Sequence, residues 1–246
     1  MKLIHNFKSP NFNKRQSNNI KYIIIHYTAL GSISESLEYL CKKKNKVSSH
    51  YLISKEGTIY NLVSDKKRAW HAGISYWNED EDINSHSIGI ELDYSPYENK
   101  KFTKELLESL IKLLKKLISK YNIPITNVLG HSDVSPYRKI DPGVNFPWVL
   151  LEKKNIAFKL KKIKKTDRYN ETIKKWFKKN KLYSNKKKIL LILSLIGYDI
   201  RLAKKNHYNY KKIISAYTTR FSHNNLKRGN LIDIVILHFL NILLTK

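Results

Sequence analysis

The chain has 246 residues, 41% of them hydrophobic, and apolar runs recur along its length. That composition excludes wholesale disorder and suits one good-sized domain plus a small one. The formal charge is +27, from 47 Lys and Arg against 20 Asp and Glu, and it is uneven: 22 basic against 15 acidic residues in 1–150, then 25 against 5 in 151–246. Such a field attracts polyanions, whether nucleic acid, anionic lipid or acidic wall polymer. Lys far outnumbers Arg, and Asn and Ile are abundant throughout, as in the product of an AT-rich genome. No recognised nucleic-acid motif accompanies the charge. Cys41 stands alone, so it forms no internal disulfide and leaves the compartment open. The segment Met1–Pro10 is too polar for a signal peptide. The apolar stretches Ile189–Ile196 and Leu231–Leu244 fall short of the roughly 20 residues that span a bilayer, so no transmembrane segment is expected.

In chain order, Ile20–His26 is a β-branched run that predicts a buried strand central to a sheet. Glu35–Lys44 predicts a short helix with Leu37 and Leu40 inward. His50–Ile53 and Thr58–Val63 flank Lys55-Glu56-Gly57 as a hairpin. Ser87–Leu92 reads as a further apolar strand. From an N-cap at Thr103, Leu106, Leu107, Leu110, Leu113, Leu114, Leu117 and Ile118 recur at helical spacing up to Tyr121. Thr126–Gly130 is a short strand leading into His131. Strands separated by helices imply an α/β architecture. After Trp148 the character changes. A first domain over 1–155, a basic linker over 156–168 and a helical module over 169–246 are expected. The module's helices are placed at Glu171–Asn180, Lys187–Ile196, Tyr208–Thr219 and Asn230–Leu244, three to four packed together, with Gly197 as a helix stop.

Three features carry chemistry. His26 ends a buried strand in Ile-Ile-Ile-His-Tyr-Thr-Ala; alone, such a histidine is more often structural than a ligand. Gly130-His131-Ser132-Asp133-Val134-Ser135-Pro136-Tyr137-Arg138-Lys139-Ile140-Asp141-Pro142-Gly143 reads as a loop. Its His and Asp are good zinc ligands, although a polar, turn-rich loop has the same composition. Glu91 interrupts an apolar strand, where a carboxylate is costly unless it is paired or functional.

Taken in order, five segments resemble the type 2 N-acetylmuramoyl-L-alanine amidases, which share a fold with peptidoglycan-recognition proteins and phage T7-type lysozyme. They are the His26 strand, Ser-His-Tyr-Leu-Ile-Ser-Lys-Glu-Gly-Thr-Ile-Tyr, Ala-Trp-His-Ala-Gly, Asn-Ser-His-Ser-Ile-Gly-Ile-Glu-Leu and the His131–Asp141 loop. The resemblance covers residues 4–150. It implies a central mixed β-sheet flanked by helices, followed in this chain by a small all-α C-terminal domain. It also implies one Zn²⁺ held by His26, His131 and Asp141, with Glu91 as general acid and base and Lys139 stabilising an oxyanion. His71, Trp70 and Arg138 are the weaker candidates for substrate contact. The bond cut would join N-acetylmuramic acid, or its anhydro form, to L-alanine in peptidoglycan or muropeptides.

The tail segments Leu195–Asp199 and Ile213–Phe221 resemble a drifted three-helix peptidoglycan-binding domain, with Tyr217-Thr218 where the family carries Phe-Gln. This pairing favours a bacterial, periplasmic or envelope enzyme, with electrostatic association to an anionic wall or membrane surface. The polar N-terminus favours a cytoplasmic one that trims recycled fragments. Two other classes compete: a recognition protein that binds muropeptide without cutting, which typically lacks a metal ligand, and a nucleic-acid binder supported by charge alone.

Overall fold

The computed structural model describes residues 2–98, 101–161, 167–221 and 231–244, with the side chains of all but 167–170 and 244. Its strands are β1 (Leu3–Ile4), β2 (Phe12–Lys14), β3 (Tyr22–Tyr27), β4 (Tyr51–Ile53), β5 (Ile59–Asn61), β6 (Lys67–Ala69), β7 (Ser87–Leu92) and β8 (Val128–Gly130). The helices are α1 (Ile33–Cys41), α2 (Ile83–His86), α3 (Lys104–Tyr121), α4 (His131–Val134) and α5 (Trp148–Lys153), then α6 (Asp167–Lys179), α7 (Asn185–Ile196), α8 (Arg201–Lys205), α9 (His207–Phe221) and α10 (Leu231–Leu244). Six strands form one mixed sheet in the order β1-β5-β4-β7-β3-β8, and β2 pairs with β6 apart from it. The central strands β4, β7, β3 and β8 are mutually parallel, whereas β4 and β5 are the antiparallel hairpin expected around Gly57.

Alternation along the strands assigns each face its partner. Ile23 and Ile25 of β3, with Ile88, Ile90 and Leu92 of β7, pack on the leucine stripe of α3. That helix forms as its sequence predicts: Thr103 Oγ1 accepts from the Leu106 amide, and Asn122 closes the far end in the left-handed conformation. Tyr22 and Ile24 face the other way, and with Leu129 of β8 they join the core of the C-terminal helices. On the same face, Leu52 of β4 packs under Leu37 and Leu40 of α1. His26, Ser87, Gly89 and Glu91 lie on this face by the same alternation.

Several features differ from the sequence expectation. The segment after Gly130 begins with the helical turn α4 rather than a loop, because the Asp133 carboxylate accepts the Gly130 amide across the corner at 2.8 Å. The stretch expected as a linker starts inside the protein. Ile156 and Ala157 pack on the α3 side of the sheet, and Phe158 and Leu160 join the C-terminal core, while residues 162–166 lie outside those described. The tail has five helices among the described residues, α8 being too short for periodicity to reveal. Trp77 packs edge-on against Tyr198, and the Asn78 amide donates to the Gly197 carbonyl at 2.9 Å. The tail is therefore seated on the sheet by a shared core. No helix among the described residues is long and apolar enough to cross a membrane.

Candidate active site

Three side chains meet at the C-terminal ends of the central strands. His26 lies near the end of β3, His131 opens α4 directly after β8, and Asp141 follows on the loop that returns past them. His26 Nδ1 is 2.9 Å from His131 Nδ1, and Asp141 Oδ2 is 3.1 and 3.0 Å from the two nitrogens. All three residues are buried. Two hydrogen bonds decide what these nitrogens carry. His131 Nε2 lies 3.0 Å from the Ala72 carbonyl, which accepts only, so Nε2 carries a proton and in the neutral ring Nδ1 is the lone pair.

His26 is oriented by a longer relay. The Ser87 hydroxyl donates to the Ile83 carbonyl at 2.6 Å, so Ser87 Oγ accepts from His71 Nε2 at 3.1 Å. His71 Nδ1 then accepts from His26 Nε2 at 3.0 Å, which leaves His26 Nδ1 unprotonated. Burial, and then the neighbouring His131, push the His26 pKa down to about 4. Burial, followed by the nearby histidines, holds His71 well below its ordinary value, so both rings are neutral at pH 7. Two lone pairs and a carboxylate oxygen thus converge on one point, with every ligand atom within 4.8 Å of the others. Such a donor set is repulsive by itself and is resolved by a cation at its centre.

Glu91 stands directly across from His26 in the β3–β7 register. Its Oε2 is buried and has no hydrogen-bond partner in the protein. Burial, reinforced by the Asp141 charge and opposed by Lys139, pushes its pKa up to about 8. Lys139 follows the turn at residues 135–138, its amide bonded to the Ser135 carbonyl at 3.1 Å, and it is half-buried.

The weaker candidates have other partners. His71 is buried, with both nitrogens engaged inside the protein. Trp70 is half-buried and its indole N–H donates to Asn13 Oδ1 at 2.9 Å. Arg138 is exposed, but its guanidinium donates to the carbonyls of Ala72 and Ile74 and so ties the 72–74 loop to the segment between His131 and Asp141. Sequence reasoning missed Ser87, which opens the Ser-Ile-Gly-Ile-Glu strand, and Gly89, whose signal was a glycine amid a buried strand. It also passed over Arg15, a buried guanidinium that donates to the carbonyls of Asn84, Ser85 and Ser87 and steadies the entry to β7.

A mixed sheet carrying a buried His–His–Asp cluster at its strand ends, with the unpartnered Glu91 Oε2 alongside, defines an α/β protein with a group of side chains that could hold a metal ion. Residues 16–144 match the N-acetylmuramoyl-L-alanine amidase family, and the chain belongs to that family. It is 39% identical over 152 residues to N-acetylmuramoyl-L-alanine amidase AmiD of Escherichia coli, a match covering 56% of this chain and about half, 54%, of that one. It is 34% identical over 160 residues to 1,6-anhydro-N-acetylmuramyl-L-alanine amidase AmpD of Haemophilus influenzae, covering 57% of this chain and 86% of that one. Among solved structures, the E. coli AmiD complex with anhydro-N-acetylmuramic acid-L-Ala-D-γ-Glu-L-Lys superposes with a TM-score of 0.73 at 29% identity, over 92% of this chain and 91% of that one. Pseudomonas aeruginosa AmpDH3 superposes with a TM-score of 0.73 at 26% identity, over 91% of this chain and 92% of that one. Both structural likenesses therefore extend through the C-terminal helices.

Proposed function

We propose that this chain is a zinc-dependent amidase that hydrolyses the bond between N-acetylmuramic acid, or its anhydro form, and the L-alanine of the stem peptide. The convergence of His26 Nδ1, His131 Nδ1 and Asp141 Oδ2, facing an unpaired Glu91, carries the reading. The chemistry of the donor set fits Zn²⁺, which takes imidazole and carboxylate ligands and leaves a position open in catalytic sites. Held there, Zn²⁺ supplies Lewis acidity that activates water near neutral pH and polarises a carbonyl. A cation held beside Glu91 would oppose the burial and the Asp141 charge that raise its pKa, so the ionised carboxylate would take the proton of the attacking water on its free Oε2 and return it to the departing alanine nitrogen. Lys139 places its ammonium where the carbonyl oxygen becomes an oxyanion. His71 and Ser87 hold His26 in the one tautomer that presents Nδ1, so His71 is a positioning residue rather than a substrate contact. The complete ligand set, with Glu91 and Lys139 beside it, favours cleavage over simple recognition of muropeptide.

Mass spectrometry of muropeptides incubated with the protein tests this. Separation of sugar from peptide is expected, abolished by a chelator, restored by Zn²⁺ and lost in His131→Ala. Intact substrate in every sample, or cleavage within the peptide or between sugars, overturns it.

A further inference from the structure

The C-terminal helices touch the metal site through one buried polar cluster. Asp133 is 1% exposed, and its carboxylate is shared between two parts of the chain. Oδ2 accepts the Gly130 amide at 2.8 Å, and Oδ1 accepts the Tyr198 hydroxyl at 2.6 Å. Arg220 of α9 approaches the same carboxylate at 3.9 Å, donates to the Val128 carbonyl at 3.3 Å and lies over the Trp148 ring, 3.2 Å from its centroid. The tail thus grips the β8–α4 corner just before and just after His131.

We propose that Tyr198 and Arg220 are positioning residues for the metal: acting through Asp133, they hold the corner that sets His131 and, through it, Asp141. The corner governs both ligands. The Ser132 amide donates to the Asp141 carbonyl at 2.9 Å, and Gly130 lies so close to Pro142 that a Cβ would sit 2.6 Å from the proline Cδ. A shift of Gly130 therefore moves His131 by the chain and Asp141 by contact. Packing alone does not require this cluster. A carboxylate and a guanidinium are expensive to bury, and apolar side chains of similar volume would fill the space at least as well. A charged, hydrogen-bonded brace instead fixes direction, which is what ligand geometry needs. The tail then has a task in the catalytic half that is independent of any wall binding.

This rests on the proposed ligand set, and the test separates the two. Zinc affinity is measured by chelator competition on the full chain, alongside the melting temperature of the metal-free protein. Tyr198→Phe keeps the ring and removes the hydroxyl; it is expected to weaken zinc binding about tenfold. Asp133→Asn is expected to do the same, and the double variant to lose little more, because both cut one connection. Val235→Ala, in the same tail core but with no polar group to offer Asp133, is expected to lower the melting temperature and leave zinc affinity within about twofold of wild type. Tyr198→Phe with unaltered zinc affinity overturns the proposal, as does Val235→Ala weakening zinc as much. A wild-type chain that binds no zinc overturns the ligand set, and this inference with it.

Discussion

Gly89 sits in the middle of β7, and a Cβ added there would lie 2.4, 2.5 and 2.7 Å from Cγ, Cδ2 and Nδ1 of His71. The ring cannot swing aside without losing its bonds to His26 and Ser87. Gly89→Ala should therefore be destabilising in two ways. Forcing a methyl into a filled site costs about 1–3 kcal/mol. If His71 yields, two buried hydrogen bonds go with it, at about 1 kcal/mol each. A total of about 3–5 kcal/mol is a large part of the roughly 5–15 kcal/mol that separates a typical folded domain from its unfolded chain. The same change in a His71→Ala background meets empty space. There, replacing a strand glycine should be neutral or stabilising by about 0.5–1 kcal/mol. Urea unfolding of chelator-treated protein measures all four corners of this cycle without a metal contribution. A Gly89→Ala cost below about 1 kcal/mol, or an equal cost in both backgrounds, would refute the idea that the glycine exists to admit the His71 ring.

Other outcomes follow from the same geometry. Glu91→Gln keeps the shape and removes the base, so kcat should fall by about 10²–10⁴-fold while zinc content stays unchanged; steady-state kinetics with metal analysis checks both. Lys139→Met should lower kcat by about 10²–10³-fold with little effect on zinc affinity, and a rise in KM alone would assign Lys139 to binding instead. His238 stacks on Phe158 and lies 3.3 Å from the Tyr217 hydroxyl. Burial, then the nearby Arg220, lowers its pKa from 6.5 to about 3. Its contribution to stability is therefore complete above pH 6.5 and is lost as pH falls toward 3. The loss is about 1.4 kcal/mol per pH unit within that window. Unfolding of His238→Gln from pH 7 to pH 4 should show a pH dependence shallower by about that slope; an unaltered slope would mean the ring is already charged in the folded protein.

What the sequence made legible is what periodicity and short motifs encode. The α3 leucines, the β3 isoleucines and the Ser87–Leu92 strand run where their patterns place them: the leucines bury one helix face against the sheet, and the continuous isoleucine run of β3 is buried on both faces, by α3 and by the C-terminal helices. The proposed ligands were readable only as a set: three residues separated by up to 115 positions meet because β3 and β8 are parallel neighbours, a pairing no local pattern encodes. His71 was ambiguous for a related reason. A histidine in Ala-Trp-His-Ala-Gly faces a cleft or a core according to what lies under it, and in this fold Gly89 and Ser87 lie under it. The tail segments holding Tyr198, Tyr217 and Arg220 stood out in the sequence as a wall-binding pattern, but no local pattern shows that these residues turn inward and seat the tail on the sheet.

The alternation of β7 explains why stability and catalysis are inseparable at this site. Ile88, Ile90 and Leu92 anchor the strand to the α3 side, which fixes its register. The opposite positions then have no freedom. Ser87 Oγ accepts the hydrogen bond of His71 Nε2, Gly89 makes room for the ring, and Glu91 arrives beside His26. A one-residue slip would exchange the two sets, burying Glu91 among leucines and presenting isoleucine to the ligands. The apolar half of the strand therefore positions the carboxylate as surely as the relay positions the imidazole. For that reason Ile90→Ala, though it touches no ligand, should loosen Glu91 and lower kcat as well as stability, whereas an equally destabilising change at Val235 of α10 should leave the kcat of the folded fraction intact.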